Sequence, residues 1–230
     1  MTLELLLVLG KSFLFTLAAL LPILNPAATA PIFLSLTEGA APATRRLLAR
    51  RIALNMFWLM AGSMLVGSYV LDFFGISLPI VRIGGGLILA SMAWRLLGAT
   101  PANQDSRTAL AESFTPDHAR RQAFYPLTFP ISCGPGSIAV AITVGVALHE
   151  SRLLLSLARM SGALLALCLI GVLLFLAFRY ADRLLRLFGE AGTAVFLRLS
   201  AFILLCMGVE IVWDGASELL REVLSADRPA

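Results

Sequence analysis

The chain has 230 residues, of which 59% are hydrophobic and only 14% are charged, and its mean hydropathy is +0.88. This composition is far more apolar than a soluble domain needs, so it excludes an ordinary soluble enzyme and predicts a polytopic membrane protein. The net charge of +4 does not indicate nucleic-acid binding, because the arginines are spread through short loops and are not gathered on one face with aromatic residues.

Two proline-containing stretches, residues 22–31 and 126–135, interrupt apolar runs with one shared spacing. Prolines stand at positions 22, 26 and 31 in the first stretch and at 126, 130 and 135 in the second, a constant offset of 104. Because proline lacks a backbone donor and clashes with the preceding helical turn, both runs are predicted to be discontinuous helices. In hydrocarbon, freed backbone N–H and C=O groups need hydrogen-bond partners, which only surrounding protein or a water-lined cavity can supply. Paired breaks therefore indicate a buried binding site.

The apolar segment that leads into the first break has two interpretations. Ala28-Thr29-Ala30 resembles the cleavage site of a secretory signal. However, the residues before it carry little positive charge, and the same proline spacing recurs in mid-chain, where no signal peptide can lie. We therefore predict that this segment is the first membrane helix.

The second and third apolar runs, residues 52–71 and 79–97, follow an arginine-rich loop at 38–51. In the second run, the spacing of Ser63 and Gly67 lets another helix approach closely. The third run contains the triplet at 84–86, three glycines that weaken a helix unless a neighbouring backbone packs against them. We expect the broken first helix to be that neighbour.

The remaining apolar runs follow a polar linker and repeat the order of the first half. They span residues 123–148, through the second break, 153–178 and 193–213. Phe74-Gly75 precedes Arg82 in the first half, as Phe188-Gly189 precedes Arg198 in the second. We therefore divide the chain into a three-helix repeat at 1–98, a cytoplasmic linker at 99–122 and a second three-helix repeat at 123–230.

An odd number of spans in each half fixes the relation between the halves. Two like halves of three spans, joined in sequence, must cross the membrane in opposite senses. The predicted fold is thus an all-α membrane protein with six transmembrane helices, arranged as two inverted-topology repeats whose first and fourth helices are discontinuous.

The distribution of basic residues outside the spans predicts the orientation. Eleven lie on one side, namely Arg45, Arg46, Arg50, Arg51, Arg95, Arg107, Arg120, Arg121, Arg179, Arg183 and Arg186. Five lie on the other, namely Lys11, Arg152, Arg159, Arg221 and Arg228. By the positive-inside rule the first set faces the cytoplasm, which places both termini in the periplasm.

The candidate substrate-binding residues are small or neutral polar residues close to the two breaks. They are Asn25, Pro26, Thr29, Pro31, Thr128, Pro130, Ser132, Gly134, Pro135, Gly136 and Ser137. A half-helix that begins after a break offers free N–H groups and a positive dipole end to a carboxylate. Neither break contains an acidic residue, which favours neutral or zwitterionic cargo. For each hydroxyl, the alternative is that it only satisfies a freed backbone group.

Three charged residues within apolar runs are candidates for gating or for structural roles. Arg82 and Arg198 each lie near the start of a span and can anchor it or control a gate. Glu210 is either a proton relay or a residue of the outer interface.

The cysteines show no metal-ligand spacing, and the sequence predicts neither a metal nor a cofactor. We interpret Cys133, Cys168 and Cys206 as small buried hydrophobes. Cys133 alone falls within a break, where the alternative is that it lines the cavity.

Several separated motifs carry a resemblance to a known family. They are Asn25-Pro26 with residues 31–37, the arginine-rich loop, Phe74-Gly75 with Arg82, and Pro130 with residues 134–136. Together they resemble the MarC family of bacterial membrane proteins over residues 10–215. The resemblance implies a six-span inner-membrane protein of the exporter-like superfamily, one branch of which, the SnatA-type proteins, transports small neutral amino acids. The chain departs from symmetry at Phe129, which stands where the first half has Asn25.

We therefore predict a secondary transporter of small neutral or zwitterionic solutes, with neutral amino acids as the expected class. The alternative is a non-transporting membrane regulator or assembly protein. A more remote alternative is an intramembrane hydrolase that uses Ser137, although the only histidines, His118 and His149, fall in loops. The expected partners are a small-molecule substrate and the lipid bilayer, with a homo-oligomer possible and no nucleic acid.

Overall fold

The computed structural model describes residues 2–37, 40–98, 123–150 and 152–226, and most of these residues are helical, with no strand among them. In chain order the elements are α1 (Thr2–Leu24), α2 (Pro26–Leu36), α3 (Pro42–Phe73), α4 (Leu78–Leu97), α5 (Ala123–Ser132), α6 (Pro135–Ala147), α7 (Leu153–Arg179) and α8 (Ala181–Ala226). The predicted linker at 99–122 lies outside the described residues. The all-helical prediction is confirmed for the part of the chain that the structure describes.

Among the described residues, three stretches are long and apolar enough to cross a membrane. They are Glu4–Leu34, which joins α1 and α2, Pro42–Phe73 and Leu153–Arg179. The helix Pro135–Ala147 is equally apolar but shorter, because it begins only after the second break. By length and composition, the three longer stretches can therefore span a membrane.

The first break is a single residue. Asn25 has a φ of 37°, the only positive φ outside glycine in the described residues, and it separates α1 from α2. Pro26 then opens α2, where its missing N–H is not needed. Pro31, by contrast, lies inside α2 without ending it.

The second break is longer, although its prolines have the same spacing. Tyr125, Phe129 and Gly134 each precede a proline and each has an extended ψ, of 124°, 126° and 174° respectively. Steric clash with the proline ring drives the preceding residue out of the helical region, and here it acts three times. As a result α5 is an irregular, π-type segment, and a regular helix resumes only at Pro135.

The core lies between α3 and α7. Buried side chains recur at helical spacing on α3 (Leu48, Ile52, Met56 and Met60) and on α7 (Leu167, Ile170, Leu174 and Phe178). Phe178 also stacks on Phe33 of α2, with ring centroids 4.4 Å apart and an interplanar angle of 2°. This packing joins residues from both halves of the sequence into one cluster.

Apart from a slight contact of α1 with α8, the main helix contacts between the two halves come in matched pairs. α4 packs against α6 and α8 packs against α2, while α4 and α8 pack extensively on each other. Likewise α1 contacts α7, and α5 contacts α3. Each of these contacts therefore has a counterpart when every helix is replaced by the equivalent helix of the other half.

The chain also turns alike at two equivalent glycines. Gly75 has a φ of 67° and Gly189 a φ of 66°. At Gly75 the N–H groups of Gly75 and Ile76 bond to the carbonyls of Asp72 and Leu71, at 3.0 and 2.9 Å, which is a Schellman ending for α3. Gly189 kinks α8 eight residues after its start.

The prediction that the broken first helix packs against the glycine triplet was wrong. Gly85 lies against Gly136 and Ala139 of α6, in the second broken helix, and Gly86 lies against Gly208 of α8. Gly84 has open space beside it. The reason is that α4 packs on the helix that follows the opposite break, an exchange between halves that sequence order does not reveal.

Two of the three cysteine predictions were also wrong. Cys133 is fully buried, but Cys168 and Cys206 are exposed. Cys168 lies one position after Leu167 on α7 and so points away from the buried stripe of that helix. An apolar sequence around a cysteine cannot tell the protein-facing side of a membrane helix from its lipid-facing side.

Candidate functional site

The Asn25 side chain caps the helix that follows the first break. Its Oδ1 accepts a hydrogen bond from the Ala28 N–H at 3.1 Å, and the Asn25 carbonyl accepts the N–H of Thr29 at 3.1 Å. Asparagine suits this position because it both tolerates a left-handed backbone and acts as an N-cap. Within the part of the chain that the structure describes, its Nδ2 has no hydrogen-bond partner and is the atom left to meet a ligand.

The hydroxyl of Thr29 serves the same turn. Its Oγ1 donates to the carbonyls of Asn25 and Pro26, at 3.1 and 3.2 Å. Thr29 is buried, whereas Asn25, Pro26 and Pro31 are half-buried. The Thr29 proton is therefore committed to the backbone, and only its lone pairs remain for a ligand.

The second half offers a helix start with no side-chain cap. Gly134 precedes α6 in an extended conformation, and no side chain caps the first turn. Pro135 has no N–H, so the first free amides belong to Gly136 and Ser137, which are both buried. Ser137 Oγ donates to the Gly134 carbonyl at 2.7 Å, so it holds the turn together.

The hydroxyls of α5 bond to carbonyls that the irregular segment has freed. Thr128 Oγ1 donates to the Ala123 carbonyl at 2.6 Å, and Ser132 Oγ donates to the Leu127 carbonyl at 2.8 Å. Both bonds reach back five residues, which matches the wider turn of this segment. For these two residues the structure shows the local role that was the alternative to ligand binding. Pro130 lies within the same segment.

Asn55 of α3 is a site residue that the sequence reasoning missed. Its Nδ2 donates to Thr128 Oγ1 at 3.3 Å and so links α3 to the second break. The signal was present, since Asn55 is a lone amide within an apolar span, and such residues hydrogen-bond between membrane helices.

The two breaks belong to one buried region. α1 contacts α6 and α2 contacts α5, so each half-helix meets the opposite half of the other broken helix. Residues flanking both breaks share the same core cluster, namely Leu24, Ala30, Leu127 and Cys133. This region combines free amides, neutral side-chain groups and apolar walls.

The charged candidates lie on α4 and α8, which are not the discontinuous helices. Arg82 forms an ion pair with Glu218 of α8, and its Nε donates to Thr143 Oγ1 of α6 at 3.2 Å. Arg198 and Glu210 are both exposed on α8. Of the three, only Arg82 connects to a helix that begins at a break.

Thr16 of α1 is a second residue that the sequence reasoning passed over. It is fully buried, and its Oγ1 is the one buried side-chain oxygen or nitrogen in the described residues with no hydrogen-bond partner. Several other buried hydroxyls bond their own backbone, as Thr37 does to the Phe33 carbonyl at 2.8 Å. Thr16 lies on the same buried stripe of α1 as Leu20 and Leu24, which leads to the first break.

Comparison with known proteins identifies the family to which the sequence is similar. A family model described as "MarC family integral membrane protein" matches residues 10–220. Proteins named "UPF0056 inner membrane protein MarC" from Escherichia coli K12 and from the Escherichia coli strains UTI89 and CFT073 are each 32% identical over 215 residues. The match covers 93% of this chain and 97% of each relative. No solved structure matches significantly.

Proposed function

Because the chain belongs to the MarC family of integral membrane proteins, we propose that it is a secondary transporter of the bacterial inner membrane. Its cargo is small neutral or zwitterionic solutes, with neutral amino acids as the preferred class. The inner-membrane location is taken from the names of the relatives and agrees with the long apolar helices.

The observation that carries this proposal is the start of α6. Its first free amides, on Gly136 and Ser137, are buried, have no side-chain cap and follow a glycine that permits close approach. Such a half-helix start binds a carboxylate in discontinuous membrane helices. The Asn25 amide near the other break supplies a neutral donor, and the absence of an acidic residue from both breaks disfavours a cationic cargo.

We also propose six membrane spans in two inverted repeats, with both termini in the periplasm. The matched helix contacts between halves and the equivalent positive φ angles at Gly75 and Gly189 support this arrangement. The excess of arginines at one set of loops supports the orientation. Reporter tags at either terminus should be periplasmic and a tag within 99–122 cytoplasmic. Termini on opposite sides would contradict the repeat.

A hydrolytic role for Ser137 has less support. Its hydroxyl proton is directed to the Gly134 carbonyl. His149, the histidine within the described residues, lies twelve positions after Ser137 and just beyond the end of α6, so it is about 18 Å from Ser137 at the helical rise of 1.5 Å per residue. A nucleophile needs a base within hydrogen-bond reach.

Counterflow in proteoliposomes tests the transport proposal. Vesicles loaded with an unlabelled neutral amino acid should accumulate the labelled one when they contain the parent protein. Gly134→Val should abolish this accumulation, because a branched side chain would stand where the backbone must approach the cargo. Ser63→Ala is the matched control, since Ser63 only donates to the Leu59 carbonyl of its own helix, at 2.8 Å.

Two results would count against the proposal. If no neutral or zwitterionic solute is moved by well-folded parent protein, the chain is a non-transporting regulator or assembly protein. If Gly134→Val transports as the parent does, the second break is only a hinge and the cargo binds elsewhere.

A further inference from the structure

Tyr180 brings two arginines together at the junction of α7 and α8. The guanidinium of Arg179 lies 5.4 Å from the centroid of the Tyr180 ring, and that of Arg183 lies 5.5 Å from the same centroid. Arg179 is also 5.9 Å from the ring of Phe175. Cation–π attraction thus holds two like charges against one ring.

Within the described residues, the guanidiniums of Arg179 and Arg183 have no carboxylate partner, whereas that of Arg45 has one. The carboxylate between them in sequence, Asp182, is bound by Arg45 at 3.3 Å. No ion pair within the described residues involves Arg179 or Arg183. Arg46 and Arg50, in the first turns of α3, add further exposed positive charge near Arg45. Among the described side chains of this region, the exposed cations outnumber the one paired carboxylate, and this excess of positive charge favours the binding of an external anion.

The packing of α7 and the backbone hydrogen bonds of the turn fix the positions of Arg179 and Arg183. Phe178, one residue before Arg179, is 4% exposed and stacks on Phe33 of α2, which anchors the end of α7 in the core. The Tyr180 N–H bonds to the Leu176 carbonyl at 2.9 Å, and the Arg183 N–H bonds to the Tyr180 carbonyl at 3.0 Å. The backbone therefore holds the ring and both arginines in one turn.

This turn lies where the apolar length of α7 ends. Leu153–Arg179 is apolar enough to cross a bilayer, so Tyr180 stands at the level of the lipid headgroups. Tyr180 is 41% exposed, and both arginines are exposed. The anion that such a position meets first is the phosphate of a phospholipid.

We propose that Arg179, Tyr180 and Arg183 form a binding site for the headgroup phosphate of an anionic phospholipid. Guanidinium groups form paired hydrogen bonds to phosphate oxygens, and this turn presents two of them beside one aromatic ring. Basic pockets at the ends of membrane helices recognise anionic lipids in this manner. This site is separate from the helix breaks and does not depend on transport.

Lipid titration of the full chain tests the proposal. The delipidated protein in neutral detergent is titrated with phosphatidylglycerol or with phosphatidylcholine, and bound lipid is counted by native mass spectrometry. The parent should bind phosphatidylglycerol more tightly. Each of Arg179→Gln and Arg183→Gln should weaken that binding about fivefold, which corresponds to about 1 kcal/mol per basic residue at the surface. Tyr180→Phe should keep the preference, and Tyr180→Leu should lose part of it.

The matched control is the double variant Arg152→Gln with Arg221→Gln, which removes the same charge from exposed positions away from this turn. It should bind phosphatidylglycerol as the parent does. Equal losses in this variant and in the Arg179→Gln, Arg183→Gln double variant would reduce the effect to net charge and overturn the site. Parent protein that binds both lipids equally would also overturn it. If inorganic phosphate displaces phosphatidylglycerol mole for mole, the site is one for free anions and the lipid assignment is wrong.

Discussion

Arg82 of α4 and Glu218 of α8 form an ion pair that joins the first half of the chain to the second. A second pair, Arg45 with Asp182 at 3.3 Å, joins the start of α3 to the start of α8. Each arginine comes from the first half, and each carboxylate lies near an opposite end of α8. Because ion pairs at interfaces exchange during domain motions, a transporter that opened one end would have to separate the pair there.

Arg82 is also tied to the helix that begins at the second break, so its removal should have two effects. Arg82→Gln leaves Glu218 without its partner and weakens the bond to Thr143. The side chains are 21% and 43% exposed, so the expected loss of stability is modest, about 1 kcal/mol. Thermal unfolding in detergent measures this loss, and proteoliposome counterflow measures whether exchange becomes faster as the contact is lost.

Arg198 supplies the matched control for that experiment. It occupies the equivalent position in the second half, but it is exposed and takes part in no ion pair within the described chain. Arg198→Gln should therefore leave both stability and counterflow unchanged. Equal effects of the two variants would show that positive charge, rather than the contact with Glu218, accounts for the result.

A glycine contact between α3 and α6 predicts a sharp packing effect. A Cβ atom at Gly145 would collide with the backbone of Met64, whereas a Cβ atom at Gly84 would meet nothing within 4 Å. Gly145→Ala should therefore destabilise the protein by about 1–3 kcal/mol, because backbone atoms cannot move aside. Gly84→Ala should be neutral or stabilising, since alanine favours helix. Thermal unfolding of the two variants compares them directly, and a silent Gly145→Ala would contradict the close approach.

The helix breaks were predictable because their cause is local. Proline excludes a regular helix from its own sequence, so Asn25 and the residues of the second break could be located without a structure. The extent of each break was not predictable from proline spacing alone. Pro31 is accepted within α2, while its counterpart Pro135 starts a new helix, and the difference arises because Phe129 and Gly134 both adopt extended conformations.

The partners of each residue were less predictable, because they depend on packing between distant helices. The sequence indicated that the glycine triplet needs a close neighbour, but not that Gly136 and Gly208 are that neighbour. It likewise placed Arg82 near a span end without revealing Glu218, which lies 136 positions away. Periodicity shows that a helix has a packing face, whereas identifying the helix it faces requires tertiary structure.

The unpartnered hydroxyl of Thr16 predicts an unusual combination of results. A buried polar group without a hydrogen bond destabilises the folded state, so Thr16→Val, which keeps the shape, should leave stability unchanged or raise it. If the hydroxyl serves cargo on the path along α1 towards the first break, the same variant should slow counterflow. Thr37→Val is the control for stability, because Thr37 is also buried but its hydroxyl is bonded, and this variant should be destabilised. A destabilised Thr16→Val would show that its hydroxyl has a partner after all.

Asn25 caps a helix and has a proposed second role in binding cargo, and two substitutions separate these roles. Asn25→Ala removes the cap on the Ala28 N–H and places alanine at a φ of 37°, so we expect a loss of at least about 1 kcal/mol in stability. Asn25→Gly accepts this backbone conformation and, as an N-cap, costs only a few tenths of a kcal/mol. Both variants lack the Nδ2 donor that faces no partner within the described chain.

If that donor binds cargo, the stable Asn25→Gly protein should lose counterflow as fully as Asn25→Ala does. Thermal unfolding should show that only the alanine variant is less stable. Counterflow that follows stability instead, and is retained in Asn25→Gly, would reduce Asn25 to a helix cap and leave the amides of α6 as the remaining proposed contacts with the substrate.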